Sequence, residues 1–289
     1  MQVAISGATG FIGTYLGKVF GAQGHKIVPL TRGDFSTNAA ALAGKLKGCD
    51  AVINLAGAPI AARWTAAYKK VLIESRIGTT RMIVDTVTHL SPAPRVLISA
   101  SGTGIYRSHG IHTEDDTDYA DDFLGRLAQD WEREALKAES VGMRTVVFRF
   151  GVVLGKNGGA LQRMLPLFRL GLGGRIGSGR QAFSWVHIAD LARAIITAVN
   201  NPALRGIYNL TAPYPITNAE LTRTLASLLH RPAWLPVPGV ALKLLFGEAA
   251  AVLLEGQQVL PKRLRDAGFT FLFPTICEAL VDILSRDEH

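Results

Sequence analysis

Cysteine is scarce in this chain of 289 residues, which contains only Cys49 and Cys277. The two residues lie far apart and match neither a zinc-ligand spacing nor a disulfide pair, so we expect buried, inert thiols in a reducing compartment. The histidines, among them His109, His112 and His187, show no metal-ligand spacing either. These absences predict a chain without a metal site.

Long apolar runs and blocks of basic residues are also missing. The most apolar stretch, residues 240–254, contains Lys243 and Glu248 and is too short to span a bilayer, so it predicts a buried or amphipathic helix. No secretion leader precedes the first predicted strand. The net charge is +8, but Lys and Arg are scattered, without the clusters typical of nucleic-acid binding. We therefore expect a cytoplasmic protein that acts on a small-molecule substrate and binds neither nucleic acid nor a membrane.

Short apolar segments alternate with helical segments along most of the chain. The segments typical of buried strands are KIVPLTR (26–32), DAVINLAG (50–57), RVLISAS (95–101) and RTVVFRFGVVLG (144–155). Segments with helical periodicity lie between them. This alternation predicts an α/β fold: a doubly wound parallel Rossmann sheet with a smaller α/β substrate lid and a helical C-terminal segment. Ligands of such sheets bind at the carboxyl ends of the strands.

The composition changes at residue 155, where a Gly- and Arg-rich segment begins and a Pro-rich one follows. Such punctuation is typical of small elements that cover a sheet edge. We predict a Rossmann core over residues 1–154, which also receives about 184–212. Lid segments are predicted at 155–183 and 213–235, and a small C-terminal domain at 236–289.

The segment SGATGFIG follows the first predicted strand and opens an amphipathic helix. Gly7 allows a tight turn, Gly10 lets a pyrophosphate approach the backbone, and Gly13 lets the helix pack against the sheet. The helix N-terminus favours an anion. The pattern predicts a dinucleotide site with contacts from Gly7, Thr9, Gly10, Phe11, Ile12 and Gly13.

The end of the second strand indicates which dinucleotide is bound. Thr31 and Arg32 stand where an acidic residue would hold the ribose 2′-hydroxyl of NAD. A guanidinium there pairs with a 2′-phosphate, which favours NADP(H). The alternative is a solvated Arg32 with Asp34 as the ribose ligand.

One family is similar to this sequence along nearly its whole length. The motifs that carry the resemblance are GATGFIG, LTR, DAVINLAG, RW, ESR, SASGTGIY, WE, GVVLG, GLGGRIGSGRQAFSWVHIADL and LPVPG…FGE. The chain resembles the atypical extended short-chain dehydrogenase/reductases of the epimerase family that have a small C-terminal domain, a group in which some members are labelled cell-division inhibitors. The resemblance implies NADP(H) bound at the strand edge by Thr31, Arg32, Leu55, Ala56, Gly57, Arg76 and Val153.

The chain departs from the proton-transfer pattern of short-chain reductases, which use Ser together with Tyr-x-x-x-Lys on one helix face. No tyrosine here is followed four residues later by lysine, and the matching positions are Leu127 and Trp131. Ser101 matches the family's serine. We predict Ser101 and Tyr106 as the catalytic candidates, with Glu114 as an alternative proton donor.

A second departure concerns the substrate. Nucleotide-sugar epimerases of this family carry Arg and Asp where this chain has Phe183 and Ser184. A nucleotide-diphosphate ligand is therefore less expected, unless Arg175 or Arg180 substitutes. Phe183 and Trp185 indicate either a more hydrophobic substrate or core positions.

Two functions remain open from the sequence. One is an NADP(H)-dependent oxidoreductase or epimerase with non-standard proton transfer. The other is an NADPH-binding sensor or regulatory protein that does not turn the cofactor over. The oligomeric state, monomer or homodimer, is also open.

Overall fold

The computed structural model describes residues 1–36 and 39–285. Its centre is a six-stranded parallel sheet in the order β10-β6-β4-β3-β1-β2. The strands are β1 (Gln2–Ser6), β2 (Lys26–Leu30), β3 (Ala51–Asn54), β4 (Val96–Gly102), β6 (Arg144–Phe150) and β10 (Gly206–Leu210). The parallel sheet and its strand order confirm the predicted doubly wound α/β fold.

The helices cover both faces of this sheet or lie beyond its carboxyl edge. They are α1 (Phe11–Ala22), α2 (Arg32–Ser36), α3 (Ala39–Leu46), α4 (Ala66–Ile73), α5 (Thr79–Thr88), α6 (Phe123–Leu136), α7 (Gly159–Arg169), α8 (Ile188–Asn200), α9 (Asn218–Leu228), α10 (Gly239–Phe246), α11 (Ala251–Leu254), α12 (Lys262–Asp266) and α13 (Ile276–Ser285). A π-helical turn joins α4 to α5 over Glu74–Gly78.

Two hydrophobic layers hold the helices on the sheet, because successive strand residues face opposite sides. Val3 and Ile5 contribute to the layer under α1 and α8. Ala4, between them, contributes to the layer under α3, α5 and α6. The strands are therefore buried on both faces, which explains why their sequences are continuously apolar. Pro29 lies in β2, an edge strand, where the missing backbone donor is tolerated.

Three short strand pairs build the region beyond the carboxyl edge. β7 (Val152–Leu154) pairs with β9 (Trp185–His187), β8 (Ala182–Phe183) with β11 (Ile216–Thr217), and β5 (Ile111–His112) with β12 (Gln258–Val259). The Ser184 hydroxyl donates to the Gln257 carbonyl at 2.7 Å and accepts from the Val259 amide at 2.9 Å. These contacts attach the C-terminal segment to the rest of the molecule.

The C-terminal region agrees with the sequence predictions in one respect and departs from them in two. The apolar stretch 240–254 forms two helices rather than one, α10 and α11, joined by a 3₁₀ turn over Gly247–Ala250. α10 is amphipathic, one of the two alternatives that the sequence left open, because Leu242 is buried. Its Val240, Leu244 and Leu245 are 70%, 73% and 66% exposed. Cys49 is buried, but Cys277 is exposed, because it lies on the outer face of α13.

Across residues 1–36 and 39–285, none of the helices combines the length and the apolar character that a bilayer crossing requires. Within the same part of the chain, no group of three or more His, Cys, Asp or Glu side chains is arranged to hold a metal ion.

Candidate functional site

The glycine loop between β1 and α1 has the backbone geometry that the sequence predicted. Gly7 has a φ of +69°, and a Cβ there would lie 2.9 Å from the Leu55 carbonyl oxygen. A Cβ on Gly13 would overlap the Gly7 carbonyl oxygen. Gly10 begins α1 without a side-chain cap, and the first turn carries no acidic residue. The N–H groups of this turn are thus suited to an anionic ligand.

Phe11 fixes the loop against the segment that follows β7. A Cβ added at Gly155, Gly158 or Gly159 would approach the Phe11 ring closely, so these glycines form a cradle for it. Val153 lies in β7 itself, just before these glycines, and its carbonyl oxygen would be 2.8 Å from a Cβ at Gly159. Phe11 therefore contributes its backbone N–H to the site, while its ring holds the Val153 segment in place. Ile12 packs on the core under α1.

A cavity of about 500 Å³ adjoins this loop. Thr9, Gly10 and Phe11 form part of its wall, and the ammonium-bearing side chains of Lys18 and Lys156 form another part. Asp282 also lines the cavity, so two cations and one carboxylate lie in its wall beside the N-terminus of α1.

After the end of β2, the Asp34 carboxylate is held by neighbouring side chains, whereas the Arg32 side chain is exposed. The Asp34 carboxylate accepts from the Thr31 amide at 2.6 Å and the Thr31 hydroxyl at 2.8 Å, and it pairs with Lys45 at 2.8 Å. Burial alone would raise the pKa of Asp34, but the hydrogen bonds from Lys45 and Thr31 outweigh burial and lower it. Arg32 is exposed, and no carboxylate of residues 1–36 or 39–285 forms an ion pair with it.

Arg76, on the π-helical turn, is buried beside the end of β3. Its guanidinium donates to the Ala58 carbonyl at 2.9 Å, and its carbon Cζ would be 3.1 Å from a Cβ at Gly57. It also lies over the Trp131 ring, 5.4 Å from the centroid. Burial lowers the pKa of Arg76 to about 10, so the group remains cationic at neutral pH. No carboxylate within the described ranges pairs with this buried charge.

A buried hydrogen-bond network supports the same strand end. The Ser6 hydroxyl donates to Asn54 Oδ1 at 2.6 Å and accepts from the amides of Leu55 and Ala56 at 3.0 and 3.1 Å. Asn54 Nδ2 in turn donates to the Thr80 hydroxyl at 2.7 Å. The network thus fixes the backbone of Leu55 and Ala56 beside the glycine loop.

Trp131 extends this network to α6. Its indole N–H donates to Thr80 Oγ1 at 2.9 Å, and the Thr80 hydroxyl donates to the Arg76 carbonyl at 2.6 Å. Trp131 and Leu127 are the positions at which the sequence resemblance predicts the missing Tyr-Lys pair. The Trp131 ring lies against the Arg76 guanidinium, and Leu127 packs against Ala58 and Leu72.

The structure places Ser101 and Tyr106, the predicted catalytic candidates, in a buried polar cluster. The Ser101 hydroxyl donates to Glu132 Oε1 at 2.7 Å. The Tyr106 hydroxyl accepts from Arg149 and donates to Asn209 Oδ1 at 2.8 Å or the Thr113 carbonyl at 3.0 Å. Tyr106 is 0% exposed, and burial raises its pKa to about 12. In this structure both side chains are buried, and both hydroxyls form hydrogen bonds within the protein.

The charges in this cluster balance each other. Arg149, 1% exposed, forms hydrogen bonds to both oxygens of the buried Glu132, at 2.8 and 2.7 Å. Burial alone would lower the pKa of Arg149, but the hydrogen bonds and charge of Glu132 raise it overall. Glu114 accepts from the Asn209 amide at 2.8 Å, and burial raises the pKa of Glu114. Glu114 is therefore held in the cluster by the backbone amides of Asn209 and Arg263.

Sequence reasoning missed Thr103, which follows β4 in a 3₁₀ turn. Its side chain is half-buried, and no residue of the described ranges forms a hydrogen bond with its hydroxyl. The sequence does place Thr103 just after the predicted strand. Ser101 was chosen instead because it matches the family motif. Trp185 is 0% exposed and packs with Phe183 in the core of the lid, so neither supports a hydrophobic substrate. Arg175 and Arg180 are exposed.

Comparisons with known proteins identify the family of this chain. The model of the "NAD dependent epimerase/dehydratase family" matches residues 3–211, and a domain of unknown function, DUF1731, matches residues 237–283. The chain is 42% identical to "Epimerase family protein SDR39U1 homolog, chloroplastic" of Arabidopsis thaliana, over 98% of this chain and 87% of the relative. It is 39% identical to human "Epimerase family protein SDR39U1", over 99% of this chain and 100% of the relative.

A solved structure is similar over the whole fold. The crystal structure of human SDR39U1 (isoform 2) with NADPH has a TM-score of 0.90 and 36% identity, and covers 99% of each chain. The matched region includes the glycine loop and all six strands of the central sheet. On these grounds, the chain belongs to the NAD dependent epimerase/dehydratase family.

Proposed function

We propose that this chain binds NADP(H) along the carboxyl edge of the sheet and that Arg32 selects the 2′-phosphate. The proposal rests on the different surroundings of Asp34 and Arg32 after the end of β2. Asp34 is held by Thr31 and Lys45, whereas the exposed Arg32 has no acidic partner within the described residues. A bound 2′-phosphate would give Arg32 a charge-assisted, bidentate contact. The NADPH in the related human structure agrees with this choice.

The remaining residues fit the other parts of the same cofactor. The N–H groups of the first turn of α1 would hold the pyrophosphate, since Gly10 leaves them without a side-chain cap. The backbone of Leu55, Ala56 and Gly57 would line the adenosine half. The cation of Arg76 would face the ribose and phosphate groups beside Gly57, and Val153 would offer backbone groups to the nicotinamide amide. The cofactor, when bound, supplies hydride transfer.

The first test compares Arg32→Ala with Arg126→Ala, which removes another exposed arginine, on α6. Isothermal titration would give the Kd of NADPH and of NADH for each variant. Arg32→Ala is expected to weaken NADPH by roughly 1.5 to 3 kcal/mol and to leave NADH almost unchanged. Arg126→Ala should change neither Kd. An unchanged NADPH:NADH ratio in Arg32→Ala would refute the role of Arg32.

For the reaction, we propose an oxidoreductase or epimerase of the short-chain type that works without Tyr-x-x-x-Lys. Thr103 is the hydroxyl at the carboxyl edge that is open to hydrogen-bond a substrate carbonyl. A nucleotide-sugar substrate is disfavoured, because Phe183 lies in the lid core and the Ser184 hydroxyl is used in attaching the C-terminal segment. A small carbonyl compound is therefore the expected substrate class.

A second candidate function is an NADPH-binding protein that does not turn the cofactor over. It is favoured by a specific observation: both positions of the missing pair are buried, and Tyr106, the nearest tyrosine to the end of β4, is sealed in the polar cluster. Anaerobic stopped-flow spectroscopy of bound NADPH, with a library of carbonyl compounds and sugar nucleotides, separates the two functions. Oxidation above background supports an enzyme, and loss of that oxidation in Thr103→Val would assign the hydroxyl. Tight binding without any oxidation supports the sensor.

A further inference from the structure

Eight large apolar side chains are exposed on the lobe beyond the carboxyl edge of the sheet. Each is between 51% and 79% exposed. We call them the apolar patch: Leu167, Leu170, Leu172, Trp234, Leu235, Val240, Leu244 and Leu245.

The segments that carry the patch are neighbours in space. The Val237 amide donates to the Arg175 carbonyl at 2.8 Å, and the Gly177 amide donates to the Val237 carbonyl at 2.9 Å. A Cβ on Gly171 would lie 3.4 Å from Pro232. The chain that follows α7 therefore runs beside the chain that leads into α10. These contacts bring the segments of Leu170, Leu172, Trp234 and Leu235 together, and Leu167 and the α10 residues lie on the helices that adjoin these segments in the chain.

The size of the patch is unusual for the surface of a monomer. Monomeric proteins rarely expose contiguous apolar patches larger than a few hundred Å². Eight large side chains, each more than half exposed, present on the order of 800 Å², which is what one partner contributes to a standard interface. Such a surface indicates a binding partner.

Charge identifies the kind of partner. Residues 156–189 and 221–247, which contain the whole patch, include eight Lys and Arg residues and no Asp or Glu. Several of these cations are exposed beside patch residues, among them Arg175, Arg231 and Lys243. Glu248, the next acid along the chain, is paired with Lys69 at 2.6 Å. The patch is therefore flanked mainly by cations, with Glu248 at its end on the chain after α10, and a second copy would bring like charges together.

We propose that this surface is a docking site for the headgroup region of an anionic phospholipid bilayer. α10 presents Val240, Leu244 and Leu245 outward, with Lys243 between them and Leu242 buried. A helix of this kind lies in the plane of the interface, while lysine and arginine side chains reach the phosphates. Trp234, 79% exposed, has the amphipathic ring that favours the headgroup level. The contact is peripheral and independent of cofactor binding.

The full chain would be tested against vesicles of phosphatidylcholine and of phosphatidylcholine with about 30% phosphatidylglycerol. Flotation measures binding, and tryptophan emission reports the patch, because Trp64, Trp131 and Trp185 are half-buried or buried. We expect binding to the anionic vesicles with a blue shift, and weaker binding as NaCl rises from about 0.05 to 0.5 M.

Three variants localise the contact. Leu244→Asp, and Arg231→Glu combined with Lys243→Glu, should each weaken binding on the order of tenfold or more. Val141→Asp is the control, because Val141 is exposed but precedes β6, at the opposite edge of the sheet. NADPH titration and thermal melting would confirm that the variants are folded.

Three results would overturn the proposal. The first is the absence of binding to anionic vesicles. The second is binding to phosphatidylcholine vesicles that is as strong as binding to the anionic vesicles and does not change with salt. The lysine and arginine side chains would then contribute nothing to binding. The third is a lipid-free dimer, seen by light scattering, that Leu244→Asp dissociates, because a second copy would then cover the patch.

Discussion

Replacing Thr80 with valine is the sharpest test of the network behind the cofactor cleft. Thr80 is 0% exposed, and its hydroxyl accepts from Asn54 and Trp131 and donates to the Arg76 carbonyl. Valine keeps the shape and leaves two buried donors without an acceptor. An unsatisfied buried group costs about 1 to 3 kcal/mol, so we expect a loss of about 2 to 5 kcal/mol in the free energy of unfolding.

The matched control is Thr86→Val on the same helix, α5. Thr86 is 8% exposed, and its hydroxyl makes one hydrogen bond, to the Met82 carbonyl at 2.6 Å. That carbonyl is also within the helix ladder, so the loss should be at most about 1 kcal/mol. Urea unfolding measures both variants, and NADPH titration should show weaker binding in Thr80→Val alone. Equal losses of stability in the two variants would refute the network.

Three further predictions concern other parts of the site. Tyr106→Phe should lower the free energy of unfolding by about 1 to 3 kcal/mol and leave the Kd of NADPH unchanged; weaker NADPH binding in a fully stable variant would place Tyr106 at the site after all. The pKa of Asp34 is lowered on folding, so its contribution to stability, about 1 kcal/mol, is present above its unfolded pKa and lost as pH falls below about 4. Urea midpoints of wild type and Asp34→Asn should therefore differ at neutral pH and converge in acid, whereas a constant difference would contradict this. Gly158→Ala should weaken both stability and NADPH binding because its Cβ would meet the Phe11 ring, whereas Gly17→Ala, with open space around it, should melt no lower than wild type.

The parts of the site that the sequence predicted are those encoded locally. Gly7 and Gly13 are required by a positive φ and by a close helix–strand contact within a few residues, so the motif itself contains the geometry. The parallel sheet also follows from alternating strands and helices. The position of Arg32 depends only on where β2 ends.

The parts that the sequence did not predict depend on contacts between distant segments. Asn54, Thr80 and Trp131 belong to β3, α5 and α6, and no spacing in the chain indicates that they meet. The burial of Tyr106 was not predicted either, because a position near a strand end does not reveal which way the side chain points. Its partners, Arg149 and Asn209, come from β6 and β10.

In the C-terminal region, the sequence did not predict which apolar side chains remain exposed. An apolar stretch predicts burial, because most apolar side chains are inside a folded domain. In residues 240–254 the helix is divided at Gly247, which has a φ of +60°, and Leu244 and Leu245 remain outside. The exposed surface is visible only once the fold is known.

The most direct measurement of the central claim uses two fragments of the cofactor and the unmodified chain. 2′,5′-ADP and 5′-AMP differ only by the 2′-phosphate, so calorimetric titration of each isolates the contact assigned to Arg32. We expect the Kd of 2′,5′-ADP to be lower than that of 5′-AMP by about tenfold or more, which corresponds to about 1.4 kcal/mol. Equal affinities for the two fragments would contradict selection of NADP(H) by this site.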